Sequence, residues 1–238
     1  MKNKLFIAIA LISVFLVSCS KNKEPLSKST NLDAFSEIAF NSPFHIYLTE
    51  DSCYSIKIIA HKSIIDNITY SIADSVLTIK NNSKLKWLKP TQNTVSIYIH
   101  SKPLRKIELN ETSYLQTLNP ITSESFGLIL RSKTNEANLE LNCGSFYYWN
   151  DFPCGGKLTL KGISKRLKLW NFAILSVDAQ KLITKEALVE NHSQGNCTVN
   201  VTDKLTYSIY NSGNIILYGN PKEIIKNELE SSGNLILK

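Results

Sequence analysis

From Tyr114 onward, short runs of alternating apolar and polar residues return again and again, separated by small polar turns. Leu115, Leu139, Leu158, Ile174, Cys197, Ile215 and Leu235 serve as equivalent points, spaced by about 20 residues. Between them lies a second set of short strands, such as Arg166–Trp170 and Leu205–Asn211. Two strands and two tight turns per period are the signature of a β-solenoid. One coil cannot bury its own apolar face, whereas stacked coils share a core. The phrase Ser-Gly-Asn occurs at Ser212–Asn214 and again at Ser232–Asn234, each time before a three-residue apolar run. Gly213 and Gly233 are expected to take positive φ at these turns.

Upstream the pattern changes. Residues 32–110 carry longer runs of period-2 alternation, among them His45–Glu50 and Val95–Ser101, joined by Asn, Ser, Asp and Pro. A hairpin is expected about Asp74-Ser75. The fold class is therefore all-β. A parallel β-helix or solenoid over 111–238 is preceded by, and continuous with, an antiparallel β-layer over 32–110. An antiparallel β-sandwich is the alternative.

The N-terminus reads differently again. Lys2 and Lys4 precede an apolar run from Leu5 to Val17, the length of a signal-peptide core and short for a bilayer span. Leu16-Val17-Ser18-Cys19 resembles the lipobox of bacterial lipoproteins, in which the cysteine becomes the acylated first residue. Residues 1–18 are thus expected to be a signal peptide, Cys19 the lipidation site and 19–31 a flexible tether. The implied partner is a membrane, through that N-terminal lipid anchor.

Composition adds less. The chain has 238 residues, 43% of them hydrophobic and 20% charged, which describes a folded chain. Its formal charge of +7 is scattered as single lysines, two of them in the leader, so no nucleic-acid partner is expected. In an exported chain Cys53, Cys143, Cys154 and Cys197 could form disulfides. Cys143 with Cys154 closes the shortest loop, and buried free thiols are the alternative. The four histidines share no ligand spacing with the cysteines, so neither a metal nor another cofactor is expected.

The candidate chemistry is aromatic. Phe146, Tyr147, Tyr148, Trp149 and Phe152 are followed about one coil later by Trp170 and Phe172. Alternation places Tyr147 and Trp149 on one face and Tyr148 on the other. Tyr147, Trp149 and Trp170 could form a wall for sugar rings or a protein, while the remaining rings fill the coil. The carboxylates Asp151, Asp178, Glu186 and Glu190 stand in no paired motif, and no nucleophile elbow, P-loop or zincin motif is present.

Pro43-Phe44-His45-Ile46-Tyr47-Leu48, Leu77-Thr78-Ile79, Pro103-Leu104 and the closing Ser212-Gly213-Asn214-Ile215 with Tyr218-Gly219-Asn220-Pro221 resemble the head GIN domain family of auto-transporter adhesins, common among lipoproteins of Bacteroidetes-type bacteria. The resemblance covers about residues 33–238. It implies a β-helical extracytoplasmic domain. The expected function is a cell-envelope lipoprotein acting as an adhesin-like binding module for glycan or envelope protein, without catalysis. A periplasmic-facing structural or assembly protein, or a polysaccharide-active β-helix enzyme, is the alternative. The address is the outer membrane, with periplasmic face or cell surface left open.

Overall fold

The structure is a computed structural model that describes residues 25–84, 94–150 and 152–238. The leader 1–18, Cys19 and the start of the tether lie outside the described residues. The chain forms a parallel β-solenoid of about seven coils, with an antiparallel layer at one end.

Two walls run the length of the solenoid. The first contains β6 (Val76–Asn81), β2 (Glu37–Phe40), β8 (Lys106–Leu109) and β10 (Ser125–Leu130), then the second halves of four long strands. These are β11 (Thr134–Trp149), β12 (Gly155–Ala173), β13 (Ser176–Ser193) and β14 (Cys197–Ile209), and β16 (Glu223–Leu229) follows them. The second wall contains β7 (Val95–Ser101), β3 (His45–Glu50) and β9 (Ser113–Thr117). It continues through the first halves of β11 to β14 into β15 (Ile215–Tyr218) and β17 (Leu235–Leu237). Every pairing among these strands is parallel, and β11 to β14 bend round a corner to serve both walls.

The core is a set of apolar ladders. On the first wall Leu77, Ile38, Ile107, Leu128, Tyr148, Leu169, Val189 and Tyr207 stand in register, all buried. On the second, Ile97, Ile46, Leu115, Ala137, Leu158, Val177, Cys197 and Ile215 do the same. Ala137 and Val177 therefore take the rungs that the sequence pattern assigns to Leu139 and Ile174, which evens the period. Ile174 points outward and is 60% exposed.

Antiparallel pairing is narrower than the alternation over 32–110 implies. It joins β4 (Ser55–Ala60) to β7, β1 (Leu26–Asn31) to β4, and β5 (Ile68–Ala73) to β6. The other strands of this region already belong to the parallel walls, and β8 pairs with both β2 and β10. The ladder thus crosses the 110/111 boundary without a break. The β5–β6 turn sits at Asp74 and Ser75, both with positive φ, as a type I′ hairpin requires. Residues 26–31, expected to be tether, instead form the edge strand β1. All six are exposed, and they satisfy the free edge of β4 with support from a Lys28–Asp66 ion pair.

The repeated Ser-Gly-Asn phrase also has a different basis from the expected one. Gly213 and Gly233 do not have positive φ. They are glycines because coils approach closely there: a Cβ on Gly213 would meet the Gly195 carbonyl oxygen at 2.2 Å, and one on Gly233 the Gly213 oxygen at 2.5 Å. The neighbouring asparagines bind one coil to the next. Asn196 Oδ1 accepts the Asn214 N–H, and Asn214 Oδ1 accepts the Asn234 N–H, each at 2.9 Å.

Candidate functional site

At the end of the first wall, β11 finishes at Trp149, just before Asn150, while β12 passes through Trp170-Asn171 and stays paired with β13 as far as Ala173. Alternation turns Phe146 and Tyr148 inward, at 0% and 1% exposure, and leaves Tyr147 and Trp149 facing out. Trp149 and Trp170 are register partners on adjacent coils. The asparagines that follow them turn inward, and Asn150, Asn171 and Asn191 are all fully buried.

This asparagine column satisfies backbone groups that the corner would otherwise orphan. Asn150 Oδ1 accepts the Phe172 N–H at 2.8 Å, and its Nδ2 donates to the Phe172 carbonyl at 3.1 Å. Asn171 donates to the Leu175 carbonyl at 2.8 Å and to Asn191 Oδ1 at 3.2 Å. Asn191 donates to the carbonyls of Gly195 and Gly213. A rigid polar spine therefore lies directly beneath the outward residues.

Those outward residues form an aromatic ridge. His192 lies between Trp170, with ring centroids 4.7 Å apart, and Tyr210, at 4.1 Å and nearly parallel. Phe172 is its register partner, with the rings 6.4 Å apart. The Arg131 guanidinium lies over the Trp149 ring at 5.2 Å, within the range of a cation–π contact. Phe152, Trp170 and Phe172 are each close to two-fifths exposed. At about 4.8 Å per coil, the ridge from Arg131 to Tyr210 runs for roughly 19 Å.

Tyr147 belongs elsewhere. Its ring lies over Gly127, where a Cβ would come within 2.0 Å of it. There it lines an open depression of about 460 Å³ together with Glu37, Arg105 and Lys106. Burial raises the pKa of its hydroxyl. The expected wall of Tyr147, Trp149 and Trp170 thus divides: the tryptophans join the ridge and the tyrosine does not. A second aromatic group sits on the second wall, where Tyr47 stacks on Tyr98 at 4.7 Å with Tyr114 edge-on.

Cys143 and Cys154 are both free thiols, so the expected bridge is not formed. Cys143 lies beside its register partner Ser164, while Cys154 precedes Gly155, the partner of Thr134. Eleven residues of separation therefore put them half a coil apart, at different corners. Cys143 Sγ lies 3.6 Å from Ser164 Oγ, and Cys154 Sγ accepts from Asn135 at 3.6 Å. Of the carboxylates, Asp178 is on the second wall, paired with Lys157 at 3.1 Å. Glu186 and Glu190 are on the first wall, about 13 Å apart along one strand, wider than the roughly 5–9.5 Å of glycosidase pairs. Asp151 lies outside the described residues.

Arg131, His192 and Tyr210 are the ridge members that the sequence pattern missed. The recurring wall-end residue followed by asparagine, Trp149-Asn150, Trp170-Asn171 and Glu190-Asn191, marks the buried asparagine column with His192 just beyond it, and gives no signal for Arg131 or Tyr210.

Fold and site together define a parallel β-solenoid with a solvent-facing aromatic corner. Residues 34–221 match the family described as "Putative auto-transporter adhesin, head GIN domain", and the chain belongs to it. Solved structures share the fold at low identity. A "putative adhesin" from Bacteroides fragilis NCTC 9343 superposes with a TM-score of 0.79 at 15% identity, covering 91% of this chain and 98% of that one. A "putative lipid binding protein" and a "putative adhesin", both from Parabacteroides distasonis ATCC 8503, give TM-scores of 0.64 and 0.60 at 16% and 15% identity. Each covers 91% of this chain and 98% of its own. Among proteins of curated function, none matches this sequence.

Proposed function

We propose that the protein is a lipid-anchored binding module of the cell envelope that holds glycan rings against the aromatic corner and performs no catalysis. The observation that carries this reading is the ridge itself. Exposed Trp170 and Phe172 flank a His192 ring sandwiched against Tyr210, on a backbone locked by buried asparagines. Planar rings held in fixed positions present apolar faces to sugar C–H surfaces at little ordering cost. Membership of an adhesin-type family, and structural likeness to proteins named as adhesins, support a binding role over a catalytic one. In this reading Cys19 carries the lipid and the solenoid stands off the outer membrane.

A glycan array with the wild-type chain and the Trp170→Ala and Phe172→Ala variants tests the reading. Loss of one ring should weaken binding by about 1 kcal/mol, or several-fold. Absence of any glycan ligand, or binding indifferent to both substitutions, would sink it. Protease shaving of intact cells carrying a C-terminal tag separates the surface from the periplasmic face.

A second reading rests on the terminal coil. Among the described residues β16 and β17 pair on one side only, with Ile224, Leu229 and Leu237 exposed at 42%, 44% and 65%. Such an edge suits strand addition by another envelope β-protein. Crosslinking in the envelope that recovers only monomer counts against it.

A further inference from the structure

At the antiparallel end of the solenoid, β3 and β4 lie on opposite sides of β7, so their connection must pass over the end of that strand. His100, near the end of β7, is paired with Thr49 on one side and Ser55 on the other. The crossing turn therefore hangs Asp51 and Cys53 directly above it. The turn is pinned: the Asp51 N–H donates to the Ser101 carbonyl at 2.7 Å. The Ser52 N–H donates to Asp51 Oδ1 at 2.6 Å, which leaves Oδ2 facing His100 Nδ1 at 3.0 Å. Cys53 is the one exposed cysteine among the described residues; Cys143, Cys154 and Cys197 are buried. One donor atom from each of Asp51, Cys53 and His100 lies within 4.8 Å of the other two.

We infer that Asp51, Cys53 and His100 form a binding site for a divalent transition-metal ion of borderline softness, zinc foremost. Thiolate, imidazole and carboxylate together suit zinc, whereas calcium and magnesium demand oxygen donors throughout. Zinc bond lengths place two tetrahedral ligand atoms roughly 3.3–3.6 Å apart. The carboxylate–imidazole pair, at 3.0 Å, is already close to that spacing, and the Cys53 sulfur lies within 4.8 Å of both. Binding releases the Cys53 thiol proton to solvent, and a neutral His100 ring that ligates through Nδ1 carries its one N–H on Nε2. Three protein ligands leave a fourth position open to water. The ion would staple the β3–β4 turn to β7, two elements that the sequence separates widely. This site is independent of the aromatic corner.

The test uses the full chain, kept reduced with a phosphine, and cobalt(II) as a spectroscopic probe. One equivalent should bind and give a near-ultraviolet thiolate-to-metal charge-transfer band together with intense visible bands of a tetrahedral ion. Zinc should displace it and raise the melting temperature of the same sample. Cys53→Ser, at an exposed position, and His100→Ala, at a half-buried one, should each remove the band and weaken zinc binding at least tenfold, and Cys53→Ser should leave melting in chelator unchanged. Failure of the wild-type chain to bind one equivalent overturns the inference. So does a charge-transfer band that persists in Cys53→Ser, because another thiol would then be the ligand.

Discussion

Asn150 grips the backbone of Phe172 from inside the solenoid, accepting its N–H at 2.8 Å and donating to its carbonyl at 3.1 Å. The two residues are one coil apart. One is fully buried and the other is among the most exposed aromatics of the chain. The candidate site and the core are therefore coupled through a single amide side chain.

That coupling gives the first prediction. Asn150→Ala takes the side-chain partner from the part-buried Phe172 N–H and C=O, each worth up to about 1–3 kcal/mol. The urea midpoint should fall by an amount corresponding to at least 2 kcal/mol, and amide exchange at Phe172 should accelerate. Asn150→Asp should not rescue it, because a carboxylate cannot donate to the Phe172 carbonyl.

Tyr148 makes the opposite case. It is 1% exposed, and its hydroxyl has no hydrogen-bond partner among the described residues. Burial pushes its pKa well above the usual phenol range. Tyr148→Phe removes an unsatisfied polar atom while keeping the ring in the core ladder between Leu128 and Leu169. The variant should be at least as stable as wild type and up to about 2 kcal/mol more so. A loss of more than 1 kcal/mol in chemical denaturation would contradict the burial of that hydroxyl.

The thiols divide by environment. Burial raises the pKa of Cys143 and Cys154 and pushes Cys197 up to about 12 from an ordinary 9.0. Alkylation of the folded chain at pH 8 should therefore modify Cys53 and spare these three, as peptide mapping would show. A raised folded-state pKa means that the native chain holds a proton which the unfolded chain releases. The stabilising contribution of Cys197 is thus complete below about pH 9 and is lost as pH rises from there towards 12. Cys197→Ala should flatten that alkaline fall in stability. A profile as steep as wild type would place its cause elsewhere.

The period near 20, the corner phrases and the inward–outward alternation were legible in the chain, because each is a local consequence of strand geometry. So was the face of Tyr148 against Trp149. The pattern misplaced two rungs: Leu139 is buried on the same wall two residues beyond Ala137, in register with Leu160, and Ile174 is exposed in the turn before β13, which only the register reveals. It also assigned a turn conformation to Gly213 and Gly233. The structure shows that a neighbouring carbonyl is what excludes a side chain there.

The sequence by itself determined that the chain is all-β, that it repeats, and which rings alternate to the outside, since pleat and period follow from adjacent residues alone. Only the tertiary structure decided that His192 and Tyr210 complete the tryptophan ridge, that Tyr147 leaves it, and that Cys143 and Cys154 stand half a coil apart. It alone brought Cys53 over His100. Each of these depends on which coil lies against which and on how far its register has drifted, quantities set by the packing of the whole stack.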